Sequence, residues 1–335
     1  MQKTIFVVDD SLSNLSLAEE ALENHYRVIT LSSAEKMYRT LEKLMPDLIL
    51  LDIAMPDESG FDAMKKLKSD KVYANIPVIF LTALTDTFNE ALGIELGAVD
   101  FITKPFSEAV LLNRVRNHIK IDELVHKRTE LLNSVKDSIV LTMSILIESR
   151  DVCTGGHIER TTEFLRILLE AMVDQGVYAD EIQGWDINSF ISAARLHDVG
   201  KIYVADVILN KPGSLTRQEF ESVKTHSSEG EKIIDQMIKQ TGDMEFLHSA
   251  KLVAAYHHEK WDGSGYPYSL SGTSIPLPGR VIAVIDVYDA LVSQRPYKSP
   301  MTHEEAVKTI VAESGRHFDP KIIEVFENIH EQFVL

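Results

Sequence analysis

Short apolar runs alternate with amphipathic stretches over the first 120 residues of the chain. The apolar runs have the length of buried strands and lie at Ile5–Val8, Val28–Leu31, Leu48–Leu51, Val78–Leu81 and Asp100–Ile102. Helical patterns separate them, near residues 13–24, 34–45, 59–69, 87–96 and 107–120. This alternation predicts a five-stranded parallel sheet with helices on both faces and a ligand site at the carboxyl ends of the strands.

A long helix is predicted next, because the chain has neither glycine nor proline from Ser107 to Arg150. Apolar residues recur there at three- and four-residue steps, at Leu124, Leu131, Val135, Ile139, Met143 and Leu146. The pattern allows one helix or a helix with two joints. Its apolar stripe would pack either in a coiled coil between two copies or against its own domain. Arg128 and Ser138 interrupt the heptads, and we favour the homodimer.

The rest of the chain has helical periodicity almost throughout. The amphipathic stretches are Thr161–Val173, Ile187–Leu196, Thr216–Ile238, Glu245–His258, Ile282–Val292 and Glu304–Glu313. They favour an all-α bundle whose functional side chains project inward from several helices. We therefore divide the chain into an N-terminal domain at 1–121, a helical linker at 122–146 and a C-terminal domain at 147–335.

Composition narrows the functional classes. The 335 residues suffice for two domains, and no apolar run approaches the ~20 residues of a membrane span. The N-terminus lacks signal-peptide features and Cys153 is the one cysteine, so we expect a cytoplasmic protein without membrane insertion. The net charge of −17 and the lack of a basic recognition helix argue against duplex nucleic acid as a partner, and hence against a transcription factor.

Polar residues follow the predicted strands of the N-terminal domain. They are Asp9, Asp10, Asp52, Thr82 and Lys104. Three carboxylates at one edge of a sheet would repel one another unless they held a cation, and hard oxygen ligands suit Mg²⁺. The lysine adds a mobile positive charge for a phosphoryl group, and the threonine adds a hydroxyl donor.

This five-position set resembles the receiver domain of two-component response regulators, which has a flavodoxin-like α/β fold. The resemblance implies that Asp52 accepts a phosphoryl group from a histidine kinase. It also implies a Mg²⁺ site made by Asp9, Asp10, Asp52 and the Ala54 carbonyl. Thr82 and Phe101 would form the switch pair, beside Lys104. The alternative is a degenerate receiver that no longer takes phosphate.

The C-terminal domain is rich in histidine and carboxylate side chains of the kind that bind transition metals. Two adjacent pairs precede small-residue motifs, in His197-Asp198-Val199-Gly200-Lys201 and in His257-His258 before Gly265-Tyr266-Pro267. Seven candidate donors occur in all: His157, His197, Asp198, His226, His257, His258 and Asp286. One ion seldom needs so many protein ligands, and a carboxylate can bridge two ions, so the set predicts two metals.

These motifs, in this order from about Glu148 to about Phe326, resemble the HD-GYP branch of the HD superfamily of metal-dependent phosphohydrolases. The resemblance implies that Asp198 bridges the two ions. His157, His197 and Asp286 would complete one ion, and His226, His257 and His258 the other. Lys201 would stabilise phosphate or assist proton transfer. Arg295 and Lys298 would bind substrate phosphates with Asp289 beside them, and the Gly265-Tyr266-Pro267 loop would form part of the cleft wall.

One position departs from part of that family. Some members have an extra carboxylate four residues before the first histidine and can hold a third metal, but here that residue is Cys153, so we expect two ions. Glu148 is interpreted as structural, through Arg150 or a helix end. Iron or manganese best suits the histidine-rich, carboxylate-bridged site, and zinc, nickel or cobalt would also fit.

The resemblance implies hydrolysis of cyclic di-GMP to linear pGpG, and onward to GMP, by a hydroxide activated between the two metals. Two other functions remain open. One is the same reaction on 3′,3′-cyclic GMP-AMP. The other is a non-catalytic receptor that binds a cyclic dinucleotide and signals through protein interaction.

Overall fold

The structure, a computed structural model, describes residues 2–82, 92–150, 156–242, 244–294 and 299–333. The chain divides into two compact units, Met1–Leu132 and Asn133–Leu335. Part of the helix predicted near 87–96 lies outside the described residues. Three residues singled out from the sequence also lie outside them: Cys153, Arg295 and Lys298.

The first unit contains the predicted five-stranded parallel sheet. Its strands are β1 Thr4–Val8, β2 Arg27–Leu31, β3 Leu48–Asp52, β4 Val78–Thr82 and β5 Asp100–Thr103. They lie in the order β2-β1-β3-β4-β5. Between them lie helices α1 Leu12–Leu22, α2 Ala34–Leu41 and α3 Gly60–Ser69. Alternate residues of the central strands enter separate apolar clusters on the two faces, because successive strand side chains point in opposite directions.

One helix, α4, runs from Glu108 to Glu148. Its 41 residues correspond to a length of about 60 Å. The structure therefore confirms a long helix and shows it as one continuous element. Residues near its start, Leu111 and Val115, are buried in the core of the first unit, and Val140 and Ile147 near its end are buried in the second. Among the described residues, no helix is long and apolar enough to cross a membrane.

The second unit is helical, as predicted. After α4 its helices are α5 His157–Asp174, α6 Ala179–Ile182, α7 Ile187–Ala194, α8 Asp206–Leu209, α9 Arg217–Thr241, α10 Glu245–Tyr256, α11 Leu277–Val292, α12 His303–Ala312 and α13 Pro320–Ile329. Short 3₁₀ helices occur at Val199–Tyr203, Gly272–Ser274 and His330–Gln332. The six helices predicted from amphipathic stretches are all present, with ends that differ by a few residues.

Helix α11 lies at the centre of this unit. Most of its residues are buried, in an apolar cluster shared with α5, α12 and α13. Burial on all sides explains why its sequence is apolar nearly all round rather than along one stripe. Asp286 and Asp289 interrupt this apolar character and are one turn apart, so both lie on the same side of the helix. The helix thereby carries two carboxylates into the interior of the unit.

Candidate active site

Seven predicted donors come together in the second unit, although they lie on different elements. His157 is the first residue of α5, and His226 and Asp286 lie within α9 and α11. His197 and Asp198 follow the end of α7, and His257 and His258 follow the end of α10. Neighbouring residues inside a helix point about 100° apart. Placement beyond a helix end lets both members of each adjacent pair face one centre.

The donors form two groups of three, which we call the first and second triads. The first triad is His157, His197 and Asp286, and the second triad is His226, His257 and His258. Within each triad, one ligand atom from each residue lies within 4.8 Å of the other two. These are the same two sets that the family resemblance assigned to two ions.

Asp198 lies between the two triads. Its Oδ2 atom is 3.3 Å from His197 Nε2, and its Oδ1 atom is 3.4 Å from His226 Nε2. His257 Nε2 is 3.9 Å from the same Oδ1 atom. Each carboxylate oxygen thus faces a different triad, which is the arrangement that a bridging carboxylate requires.

The histidine rings are held by their Nδ1 atoms. His197 Nδ1 bonds to the Ala194 carbonyl at 3.0 Å, and His226 Nδ1 bonds to the Val223 carbonyl at 2.7 Å. His257 Nδ1 contacts two backbone carbonyls, at 3.0 and 3.1 Å. A carbonyl can only accept, so Nδ1 carries a proton in each of these rings and Nε2 is the nitrogen that faces the centre.

The donor atoms of the two triads are arranged as metal ligands would be, and they do not satisfy one another by hydrogen bonds. His226 Nε2 and His257 Nε2 are 3.2 Å apart, although both are acceptors when Nδ1 is protonated. Among the described residues, buried His197 Nε2 has no hydrogen-bond partner. Lone pairs that face one another in a buried site are stabilised by a cation. The residues present therefore suit divalent transition metals.

Electrostatics differ between the triads. Burial lowers the pKa of His257 to about 3 and also lowers the pKa of His226 and His258, so the second triad is neutral and ready to bind metal. Burial lowers the pKa of His197 as well, but the charge of Asp198 outweighs it and raises that pKa to about 9. Metal binding at the first triad should therefore release a proton near neutral pH.

The pKa of Asp198 itself lies well below its usual range. Burial would raise it, but the charges of Lys201 and His197 have the larger combined effect. Lys201 Nζ is 2.8 Å from Asp198 Oδ2. Asp198 is therefore an anion at neutral pH, with a cationic side chain on one flank.

Asp289 has a different environment from the one predicted. Sequence reasoning put it beside substrate-binding cations, yet it is buried, and its Oδ2 atom bonds to His157 Nδ1 at 2.6 Å. Arg160 binds both of its oxygens, with Nε at 2.6 Å from Oδ1 and Nη2 at 3.1 Å from Oδ2. These contacts hold the carboxylate against His157, in the way that carboxylates commonly support metal-bound histidines, and its predicted part in substrate binding remains a prediction.

Close backbone packing at Gly200 holds Asp198 near His226. A Cβ atom at Gly200 would lie 1.9 Å from the His226 carbonyl oxygen and 2.5 Å from the Gly230 nitrogen. Glycine is thus the residue that lets the 3₁₀ helix Val199–Tyr203 lie directly against α9.

The Gly265-Tyr266-Pro267 loop supports His258. A Cβ atom at Gly265 would lie 2.3 Å from the Lys260 nitrogen, so the loop packs directly on the backbone that follows the histidine pair. The Tyr266 ring lies 4.8 Å from the His258 ring, and its amide donates to the His258 carbonyl. The loop therefore forms a wall of the site, as predicted.

A cavity of about 340 Å³ opens on these groups. Its lining includes His157, Asp198, Lys201, His226, His258, Tyr266 and Asp286. Glu148 also lines it, with Oε1 3.9 Å from His157 Nε2, and burial raises the pKa of this carboxyl group. The sequence analysis gave Glu148 only a structural role and did not predict that it lines the cavity beside His157.

The first unit contains a second acidic cluster at the carboxyl ends of its strands. Asp9, Asp10 and Asp52 each offer an oxygen within 4.8 Å of the others. Lys104 Nζ lies 2.6 Å from Asp9 Oδ2 and 2.8 Å from Asp52 Oδ1. Asp52 is the last residue of β3 and is buried. The structure brings the three predicted carboxylates together. The Mg²⁺ ion and the Ala54 carbonyl as its ligand remain predictions.

The predicted switch residues lie on neighbouring strands. Thr82 is the last residue of β4 and is buried, and Phe101 lies in β5 with its ring 5.6 Å from the Phe80 ring. Gly93 makes room for Phe101, since a Cβ atom there would lie 2.4 Å from the ring. Their role as a switch remains a prediction.

Comparison with known proteins agrees with both halves of this description. The response regulator receiver domain matches residues 5–116, and the HD domain matches residues 142–322. A probable cyclic di-GMP phosphodiesterase of Vibrio cholerae is 38% identical over 99% of this chain and 79% of its own length. The cyclic di-GMP phosphodiesterase response regulator RpfG of Xanthomonas campestris is 32% identical over 96% of this chain and 86% of its own length.

A third relative bears on specificity. The 3′3′-cGAMP-specific phosphodiesterase 2 of Vibrio cholerae is 36% identical over 61% of this chain and 36% of its own length. The fold, the site and these matches define a class of protein, in which a receiver domain precedes a metal-dependent phosphodiesterase. The chain belongs to this family of HD-domain response regulators.

Proposed function

We propose that the protein hydrolyses cyclic di-GMP to pGpG, and onward to GMP, under the control of phosphorylation at Asp52. One observation supports the proposed hydrolysis. The two triads lie on either side of Asp198, with His197 near its Oδ2 atom and His226 near its Oδ1 atom. The names of the two relatives that align over nearly the whole chain support the choice of substrate.

In this proposal the seven donors hold two divalent ions, iron or manganese by ligand type, with zinc, nickel or cobalt as alternatives. Bound there, the ions would supply a water of lowered pKa and stabilise charge on phosphoryl oxygens. Asp198 sets the spacing between the first and second triads, and Asp289 sets the orientation of the His157 ring. Lys201, which lines the cavity, would bind a phosphoryl oxygen. Arg295 and Lys298 would bind the substrate phosphates.

Product analysis tests this function. Metal-replete protein is incubated with cyclic di-GMP, and the nucleotides are separated and identified over time. We expect pGpG to accumulate first and GMP afterwards. Tight binding of cyclic di-GMP without any cleavage would contradict the proposal and support the receptor alternative.

A second candidate substrate is 3′,3′-cyclic GMP-AMP, favoured by the similarity to the cGAMP-specific relative. The same assay with this dinucleotide at equal concentration separates the two, because it compares kcat/KM for each. A higher kcat/KM for cyclic GMP-AMP would reassign the substrate and leave the chemistry unchanged.

We also propose that a histidine kinase phosphorylates Asp52 and that Asp9, Asp10 and the Ala54 carbonyl hold the Mg²⁺ this transfer needs. Asp52→Asn should remove any change in hydrolysis rate caused by a small-molecule phosphodonor, while the unstimulated rate stays within about twofold. The matched control is Asp57→Asn, an exposed carboxylate in the following loop. A response that persists in the Asp52 variant would exclude this site of control.

A set of exposed apolar residues at heptad spacing on α4 supports a homodimer as the functional state. Val125, Leu132, Ile139 and Leu146 recur at seven-residue intervals, and each is more than half exposed. An apolar heptad stripe of this length is typical of a coiled coil between two copies. Folding back on its own domain remains the alternative for this stripe.

Glutamate at two of these positions tests the dimer. Leu132→Glu with Ile139→Glu should convert a dimer into a species of the single-chain mass, 37.7 kDa, in light scattering after size exclusion. Asn133→Glu is the control, because Asn133 is exposed outside the stripe. A wild-type protein that stays monomeric at high concentration would exclude the coiled coil.

A further inference from the structure

Glu148 has a buried carboxylate oxygen that needs a partner. It is the last residue of α4, and its Oε1 atom accepts no hydrogen bond from any residue within the described ranges. A buried oxygen without a donor is destabilising, more so when it carries charge. Such an atom persists where something outside the protein chain satisfies it.

The nearest cation in the sequence does not do so. Arg150, two residues later, binds Asp206 Oδ1 through Nε at 3.0 Å and Nη2 at 2.7 Å. Its Nη2 atom also donates to the Val204 carbonyl, and its Nη1 atom donates to the Lys201 carbonyl. Arg150 therefore ties the end of α4 to the segment around α8, and its contacts give Glu148 no partner.

Glu148 instead faces the first triad. Its Oε1 atom is 3.9 Å from His157 Nε2, and Asp286 Oδ1 is 3.8 Å from the same nitrogen. Asp289 accepts from His157 Nδ1, so Nε2 presents a lone pair. Carboxylate oxygens from α4 and α11 thus both lie near this nitrogen, at distances too long for hydrogen bonds. Such distances are common between two ligands of one cation.

We propose that Glu148 is an additional protein ligand of the ion at the first triad, with Oε1 as the coordinating atom. This inference rests on the proposed metal centre. It adds a second carboxylate to a triad that already has Asp286, whereas the second triad contains three neutral imidazoles. The two ions therefore differ in affinity, and the first triad binds a hard or borderline ion such as Mn²⁺ more tightly.

A metal titration tests the proposal without using catalysis. Metal-free full-length protein is titrated with Mn²⁺, and free Mn²⁺ is measured by electron paramagnetic resonance. The wild type should show a tight and a weaker site. Glu148→Gln should weaken the tight site at least ~10-fold, as loss of a supporting carboxylate does in metal sites generally, and leave the weaker site unchanged. Glu159→Gln, an exposed position on α5, is the control and should bind as the wild type does.

Unchanged affinities in Glu148→Gln would overturn the proposal. If that variant fails to fold, crystals of wild-type protein with Mn²⁺ give the answer. Glu148 Oε1 should lie within ~2.2 Å of the first ion, and a longer separation would overturn the proposal. Failure of the proposed function would look different, since cyclic di-GMP would then stay intact while both Mn²⁺ sites filled normally.

Discussion

Asp198→Ala lowers kcat at least ~10³-fold, equivalent to about 4 kcal/mol of transition-state stabilisation, and removes most of the bound metal. We expect this because both triads lose their shared ligand in one substitution. Lys201 also loses its anionic partner at 2.8 Å and leaves its positive charge facing a site that must hold two cations. Elemental analysis and steady-state kinetics on the same preparation measure both effects.

The isosteric Asp198→Asn separates charge from shape. It keeps the size of the side chain and one acceptor oxygen but removes the negative charge, so metal content should still fall. The control is Asp235→Ala, which removes a half-exposed carboxylate on α9 that pairs with Lys251. Hydrolysis retained at the wild-type rate in either Asp198 variant would mean that the two triads do not act as one centre.

Gly200→Ala should be the most damaging of the conservative substitutions. The added methyl group would lie 1.9 Å from a backbone oxygen of α9, and no side-chain rotation can relieve a clash with backbone. The 3₁₀ helix must then move away from α9, which separates Asp198 from His226. We expect a loss of stability of about 2 kcal/mol and a fall in kcat/KM of about 10²-fold.

Thermal unfolding and kinetics together test this second prediction. Gly184→Ala is a matched control, because a Cβ atom added at Gly184 would meet no other atom within 4 Å and the backbone there has no positive φ. It should unfold at the wild-type temperature and keep full activity. A Gly200→Ala protein with normal kinetics would show that close contact between these two helices does not position the site.

The sequence was enough to predict the sheet and the two triads. Residues of β1, β3 and β4 are almost wholly apolar because helices cover both faces, so their strands were recognisable as short runs. The triads were predictable because the resemblance rests on donor residues in a fixed order. In both cases the types of residue along a short stretch of sequence are enough to predict the structural feature.

Asp289 and Glu148 were harder, because their partners are distant in sequence. The spacing of Asp286 and Asp289 shows that they share a side of α11, but it does not show that His157 and Arg160, some 130 positions earlier, lie there. For Glu148, the nearby Arg150 suggested an ion pair. The chain turns beyond α4, and Arg150 bonds to Asp206 instead. Packing between helices decides such contacts.

Anomalous diffraction from crystals grown with Mn²⁺ tests the paired metal centre most directly. We expect two peaks in the second unit, one at each triad, about 3.5–4 Å apart with Asp198 between them. A single peak, or two peaks on the same side of Asp198, would contradict a carboxylate-bridged pair of ions.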